Sequence, residues 1–137
     1  MALTKAQLQA KAEWEQKLPG YTQTFGKLRE SQSFCCLGVA CDIFDKTKWK
    51  EDGFYDSLGD MLPHYVAQHF GMSMSAAQGL AKINDMGVAF TRIVAVLQFD
   101  SNYSRLEEIG NNGSSVGIPA LIGRLLNDVQ HYLGINP

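Results

Sequence analysis

The chain has no run of 18 apolar residues, so no segment is expected to cross a bilayer as a helix. Arginine is scarce: Arg29, Arg92, Arg105 and Arg124 are the only four, and the lysines are scattered among them. With a net charge of −2, no overall field draws the chain to nucleic acid or to an acidic membrane surface, and no basic face emerges. Cysteine is confined to Cys35, Cys36 and Cys41. An odd number with two adjacent is not a secreted disulfide framework, which points to a reducing cytoplasm. No Cys-x-x-Cys pair is present, and adjacent cysteines rarely face one metal, so no structural zinc and no cofactor is expected. Internal repeats and low-complexity tracts are missing as well. Residues 1–7 read as a helix start rather than the apolar core of a signal peptide.

What is present is core material. At 137 residues and 45% hydrophobic content, residues 1–137 are expected to form one domain. The segment Phe34-Cys35-Cys36-Leu37-Gly38-Val39-Ala40-Cys41-Asp42 follows a polar turn, Glu30-Ser31-Gln32-Ser33. Leu37, Cys41 and Phe44 recur at steps of four and three, as do Cys36, Val39, Ala40 and Ile43. Both sets predict a helix over 35–46, apolar nearly all round and therefore buried, with Ser33 as its cap.

Before it, Thr4 caps a first helix to about residue 18. Leu3, Leu8, Ala12, Trp14 and Leu18 form its buried side, and Lys5, Lys11, Glu13 and Lys17 stay in water. Pro19-Gly20 stops it. Alternating aromatic and β-branched residues over 21–25 predict a strand that turns at Gly26-Lys27 and returns over 28–34 as a hairpin. Residues 45–60 are polar, hold Trp49, Phe54 and Tyr55, and read as a long loop with one short extended piece, a type of connection that often carries function. Helices follow over 62–70, with Pro63 in the first turn, and from Ser73 or Ser75 to about residue 86, with Gly87 in the left-handed position. Another begins at Ala89 or Phe90, with Phe90, Ile93, Val94 and Leu97 on one face. Residues 111–115 form a polar loop. The last helix starts at Pro119, carries Leu121, Leu125, Leu126, Val129 and Leu133, and ends at Gly134. The expected fold is α+β: a mostly α-helical single domain with a small β-hairpin in the N-terminal third.

Three segments together resemble a group of small phage and prophage proteins. The first is Phe34-Cys35-Cys36-Leu37-Gly38-Val39-x-Cys41-Asp42, preceded by Gly20-Tyr21-x-Gln23 and Gly26-x-Leu28-Arg29. The second is Trp49 followed by Leu62-Pro63. The third is Asn84-Asp85-x-Gly87-x-x-Phe90. The resemblance spans residues 14–97 and implies a phage-encoded accessory protein acting in the cytoplasm of the infected cell. It assigns no mechanism to these residues, and nothing in 101–137 matches it.

Several chemistries compete for these residues. Cys35 or Cys36 at a helix N-terminus suits a nucleophilic thiolate, and Gln23 with a downstream histidine would complete a papain-like hydrolase. The same cysteines, beside Leu37 and Val39, equally suit a core. His64 and His69 lie five apart on different sides of their helix, and no histidine sits in a hydrolase motif, so no catalytic residue is assigned. Ligand binding draws on more residues. Arg29 offers a planar fork for a phosphate. Tyr21 and Trp49 offer aromatic plates, Gln23 and Asn84 offer amides, and Lys27 and Asp85 complete the set. The competing reading makes Tyr21 core, leaves Arg29 as a solvated charge and uses Asn84 and Asp85 to end a helix. The expected function is sequestration, without cleavage, of a host immune signalling nucleotide such as a cyclic dinucleotide. The alternatives are inhibition of a host enzyme by direct contact and, third, a cysteine hydrolase. The apolar helix over 115–134 is expected to pack on another copy in a homo-oligomer.

Overall fold

A computed structural model describes residues 2–51, 53–56, 61–112 and 117–133. Helix α1, Lys5–Lys17, opens on a reciprocal cap. The Gln7 N–H donates to Thr4 Oγ1 at 3.1 Å and the Thr4 N–H donates to Gln7 Oε1 at 2.9 Å. The helix passes into a 3-10 turn, Leu18–Gly20, where Pro19 ends the α-helical pattern.

The buried stripe of α1 differs from the expected one. Ala10, Lys11, Trp14 and Leu18 are buried, whereas Leu8 is 51% exposed and Ala12 faces solvent. Lys11 was expected in water. Its ammonium instead donates to Glu15 (2.9 Å) and to the Leu97 carbonyl, 5.3 Å from the centre of the Tyr103 ring. Burial is tolerated because the apolar stem packs and the charged head is paired with a carboxylate and a carbonyl.

Three two-residue strands follow: β1 (Thr22–Gln23), β2 (Arg29–Glu30) and β3 (Ser33–Phe34), in the order β1-β3-β2. The expected hairpin over 21–34 is thereby corrected. The tight hairpin is β2–β3, turning at Ser31-Gln32 with Ser31 at φ 56°, and β1 joins the far side of β3 in parallel. Gly26, at φ 79°, donates its N–H to Asp85 Oδ1 at 2.8 Å. This contact draws the 24–28 segment away from a return alongside β1.

Helix α2, Cys36–Phe44, begins one residue later than expected and has a different cap. Ser33 stays in β3, and Cys35 is the N-cap, its Sγ accepting from the Gly38 N–H at 3.4 Å. Residues Cys36 to Asp42 are all buried. Residues 45–56 hold a 3-10 turn, Lys46–Lys48, and an isolated antiparallel bridge, Trp49 to Tyr55. Residues 57–60 of the expected loop lie outside the described residues.

Helices α3 (His64–His69), α4 (Met74–Asp85), α5 (Phe90–Phe99), α6 (Ser104–Asn111) and α7 (Ile118–Leu133) complete the chain. Pro63 is the N-cap of α3 rather than part of its first turn. Ser73 caps α4 by accepting from the Ala76 N–H at 3.1 Å, and Gly87, at φ 89°, follows its end. On α5, Val96 is buried and Val94 only half-buried.

Helix α6 forms where the sequence predicts no element. Its N-cap is Tyr103, in the left-handed region at φ 65°, and no capping side chain sits there. The buried Asp100 carboxylate takes that role, accepting from the Arg105 and Leu106 N–H groups at 3.1 and 2.9 Å. Asn111, read as loop, closes α6. Residues 113–115 of that loop, and the helix end expected at Gly134, fall outside the described residues.

The architecture is α+β and mostly helical, and one core cluster runs from Ala10 to Val129. Cys36, Leu37, Val39, Ala40 and Cys41 lie in it with Trp14, Leu80 and Ile83. Helix α6 lies along α4 because two glycines permit it. A Cβ on Gly79 would stand 2.2 Å from the Leu106 carbonyl oxygen, and one on Gly110 would stand 1.7 Å from that of Ser75.

Candidate functional site

The motif ends at Asp42, on the last turns of α2, and this carboxylate organises its surroundings. It is 7% exposed. Oδ2 accepts from the Tyr21 hydroxyl at 2.7 Å and Oδ1 from Trp49 Nε1 at 3.0 Å. The Lys46 ammonium, one turn along, lies 3.5 Å from Oδ2. Tyr21 precedes β1 and Trp49 starts the loop bridge, so one carboxylate ties three segments together. Burial first, and the Asp42 carboxylate second, raise the Tyr21 phenol far above its ordinary pKa, so it remains a donor.

Around Asp42 the aromatic rings form a row. Tyr21 meets Phe34 edge-on with centroids 5.1 Å apart, Phe34 meets Trp49 at 5.8 Å, and Trp49 meets Tyr55 at 5.0 Å. Arg29 lies across this row because the β2–β3 register sets it opposite Phe34. Its guanidinium carbon is 5.2 Å from the Phe34 ring centre and 5.3 Å from that of Trp49. Nε donates to the Ser31 carbonyl at 2.8 Å, which fixes the plane of the fork. The two terminal nitrogens make no hydrogen bond or ion pair with the described residues.

Arg29 borders two concavities open to solvent. One, of about 370 Å³, is walled by Tyr21, Phe34, Asp42 and Lys46. The other, of about 480 Å³, is walled by Trp49, Lys27, Lys50, Glu30 and Glu51. Lys27 is exposed at its edge. Of the seven residues singled out by sequence, the fold thus gathers Tyr21, Lys27, Arg29 and Trp49.

Gln23, Asn84 and Asp85 lie elsewhere and form an internal lock. Gln23 Nε2 donates to Asn84 Oδ1 at 2.9 Å and to the Val88 carbonyl at 2.8 Å. Asn84, fully buried, also accepts from the Cys36 N–H at 3.2 Å and donates to the Thr24 carbonyl at 2.9 Å. Asp85 Oδ1 holds Gly26. These groups were expected to meet a ligand. In the structure Gln23 and Asn84 instead join α4 to β1 and to the start of α2, and the exposed Asp85 holds the turn at Gly26. Asp42 and Lys46 were missing from the expected site. The only signal for Asp42 was its place at the end of the motif.

The thiols are buried. Desolvation pushes Cys35 up to about 11, against the lowering effect of the backbone N–H groups of Gly38 and Leu37. Burial raises Cys36 and Cys41 further. A helix N-terminus normally favours a thiolate, but here desolvation outweighs it and the three sulfurs remain thiols at neutral pH. Gln23, proposed as the hydrolase glutamine, points its amide into the lock. His69 packs edge-on against Phe44 and Phe70. Among the described residues, no group of three His, Cys, Asp or Glu is placed to hold a metal ion, and no helix is long and apolar enough to cross a membrane.

A family model described as a domain of unknown function (DUF8296) matches residues 7–64. That span runs from α1 to the first residue of α3 and contains Tyr21, Arg29, Asp42 and Trp49, while Asn84 and Asp85 lie beyond it. No curated protein and no solved structure matches the chain.

Proposed function

We propose that this chain is a binding protein that captures a phosphate-bearing nucleotide at the Arg29 clefts and holds it without cleaving it. The resemblance to phage proteins supports a reading in which the chain acts in the infected cell's cytoplasm, and a host immune signal is the molecule proposed to be captured there. The observation that carries the reading is Arg29 itself: a guanidinium lying over two rings, oriented through Nε, with no hydrogen bond or ion pair to the described residues on its outer edge. That edge matches the two non-bridging oxygens of a phosphate, and the neighbouring rings match a base. Self-association through α7 belongs to the same proposal, since sequestering proteins commonly enclose ligands between copies.

The test is calorimetric titration of the purified protein with a panel of signalling nucleotides, alongside the melting temperature, which a bound ligand raises by mass action. Arg29→Ala should weaken binding by about 2–4 kcal/mol, the usual cost of removing one partner of a charge pair. Arg105→Ala should change it far less, because Arg105 is paired with Asp128 between α6 and α7 at 2.9 Å. Failure of the wild type to bind any nucleotide would end the proposal. The second reading, a protein that blocks a host enzyme, is favoured by the openness of both clefts. It predicts no thermal shift with any nucleotide.

A further inference from the structure

We infer that the ligand of this site has two base-bearing halves joined by a phosphodiester, and that Arg29 sits at the junction. The inference rests on the nucleotide-binding reading above and concerns which nucleotide the site takes. Its starting point is the partition. Arg29 and Gln32 line both clefts, so the two concavities are neighbours separated by these side chains. Each has its own aromatic surface and at least one lysine of its own. Tyr21 and Phe34 with Lys46 serve one side, and Trp49 with Lys27 and Lys50 serves the other.

Size and charge then narrow the ligand. At about 370 and 480 Å³, each cleft lies at the low end of the range of roughly 300–1,000 Å³ typical of small-molecule sites. Each suits one base and sugar. On the first side the Asp42 carboxylate offsets Lys46. On the second side Glu30 and Glu51 offset Lys27 and Lys50. Among the described residues both linings therefore carry a single surplus positive charge, and in both cases it is the charge of Arg29. A terminal phosphate or polyphosphate in either cleft would bring more negative charge than that side can match. A phosphodiester brings one, and the guanidinium between the clefts meets it with two parallel donors. The aromatic rings on both sides accept bases of any identity, because every base has a π-face.

The experiment compares probes with one base and a terminal phosphate against probes with two bases joined by a phosphodiester. Titrations with AMP and the single-phosphodiester dinucleotide ApA, and with GMP and GpG, are run on the wild type and on Lys46→Ala and Lys50→Ala. Both lysines are at the surface, so the fold should survive either change. In whichever base series binds, the dinucleotide should bind at least tenfold tighter than the mononucleotide, although it carries less charge. Each lysine variant should weaken the dinucleotide about three- to tenfold, and only one of them should affect the mononucleotide. A mononucleotide that binds as tightly as its dinucleotide overturns the two-part ligand and leaves nucleotide capture standing. The same holds if the mononucleotide responds equally to both lysines. Absence of binding in both series removes the two proposals together.

Discussion

The Cβ that Gly38 lacks would stand 1.9 Å from the carbonyl oxygen of Leu28. That carbonyl accepts the Cys35 N–H at 3.0 Å, so the backbone leading into β2 rests directly on the first turn of α2. The glycine in Cys-Cys-Leu-Gly-Val is there for this contact.

Gly38→Ala should therefore destabilise the protein, although alanine is the better helix former by about 1 kcal/mol. The obstacle is backbone and cannot swing aside, and overpacking of this kind costs about 1–3 kcal/mol or more. A urea midpoint equal to that of the wild type would refute the contact. Gly123→Ala, on α7 with open space around its Cβ position, is the control and should be neutral or stabilising.

Asp42→Asn tests the centre of the site. The carboxylate receives two donors on two oxygens, from Tyr21 and Trp49. An amide offers one oxygen, so one donor faces an NH2 group instead. The expected loss is about 1–3 kcal/mol of stability, together with weaker nucleotide binding because Tyr21 and Trp49 lose their common anchor. Chemical denaturation and the titrations above report the two effects separately.

Removing the Asn84 side chain should be more damaging to the fold. Asn84→Ala strips partners from the Cys36 N–H, the Thr24 carbonyl and the Gln23 amide at once. Orphaned buried groups of this kind cost about 1–3 kcal/mol each when unsatisfied. Denaturation should show a large drop in stability. Loss of ligand affinity at full stability would instead return Asn84 to the ligand site.

The thiols make stability sensitive to alkali. The folded pKa of Cys35 is raised from the ordinary value of 9.0 to about 11, chiefly by burial. The folded state therefore holds its proton where the unfolded chain releases it. The stabilising contribution is complete below about pH 9 and is lost as pH rises towards about 11. Cys36 and Cys41 are shifted in the same direction. The melting temperature should fall across that window, less steeply in Cys35→Ala. Labelling by a thiol reagent at pH 8 should proceed no faster than unfolding. Rapid labelling of the native protein with a loss of turnover would revive the hydrolase reading.

Helix α7 buries Ile122, Leu125 and Val129 against the core but leaves Tyr132 65% exposed, with Leu133 exposed beside it. Leu126, Val129 and Leu133 also face Ala95 across an apolar groove of about 330 Å³. Self-association through this face is expected, and Leu126→Lys should weaken it. Light scattering at micromolar concentration that gives 15.1 kDa for the wild type would contradict it.

The helices that were legible in sequence are those whose ends are decided within a few residues. Thr4 with Gln7, Ser73 with Ala76, and Gly87 after α4 are local caps, and local chemistry can be read along the chain. The burial of the cysteine helix was equally legible, because an element apolar on every side has no other place to go. Helix α6 was hidden because its cap, Asp100, acts across a left-handed Tyr103 rather than from the usual position. Lys11 was misplaced because the Leu97 carbonyl that accepts its hydrogen bond is 86 residues away. The strand order likewise turned on Asp85 holding Gly26 across 59 residues. Residue type singles out Tyr21, Arg29 and Trp49 as candidates, and no more than that is legible along the chain. Their assembly around Asp42, and the diversion of Gln23 and Asn84 into a lock 61 residues apart in sequence, were decided by tertiary structure. A side chain's polar groups take whichever partners packing brings within reach, and sequence spacing does not reveal which those are.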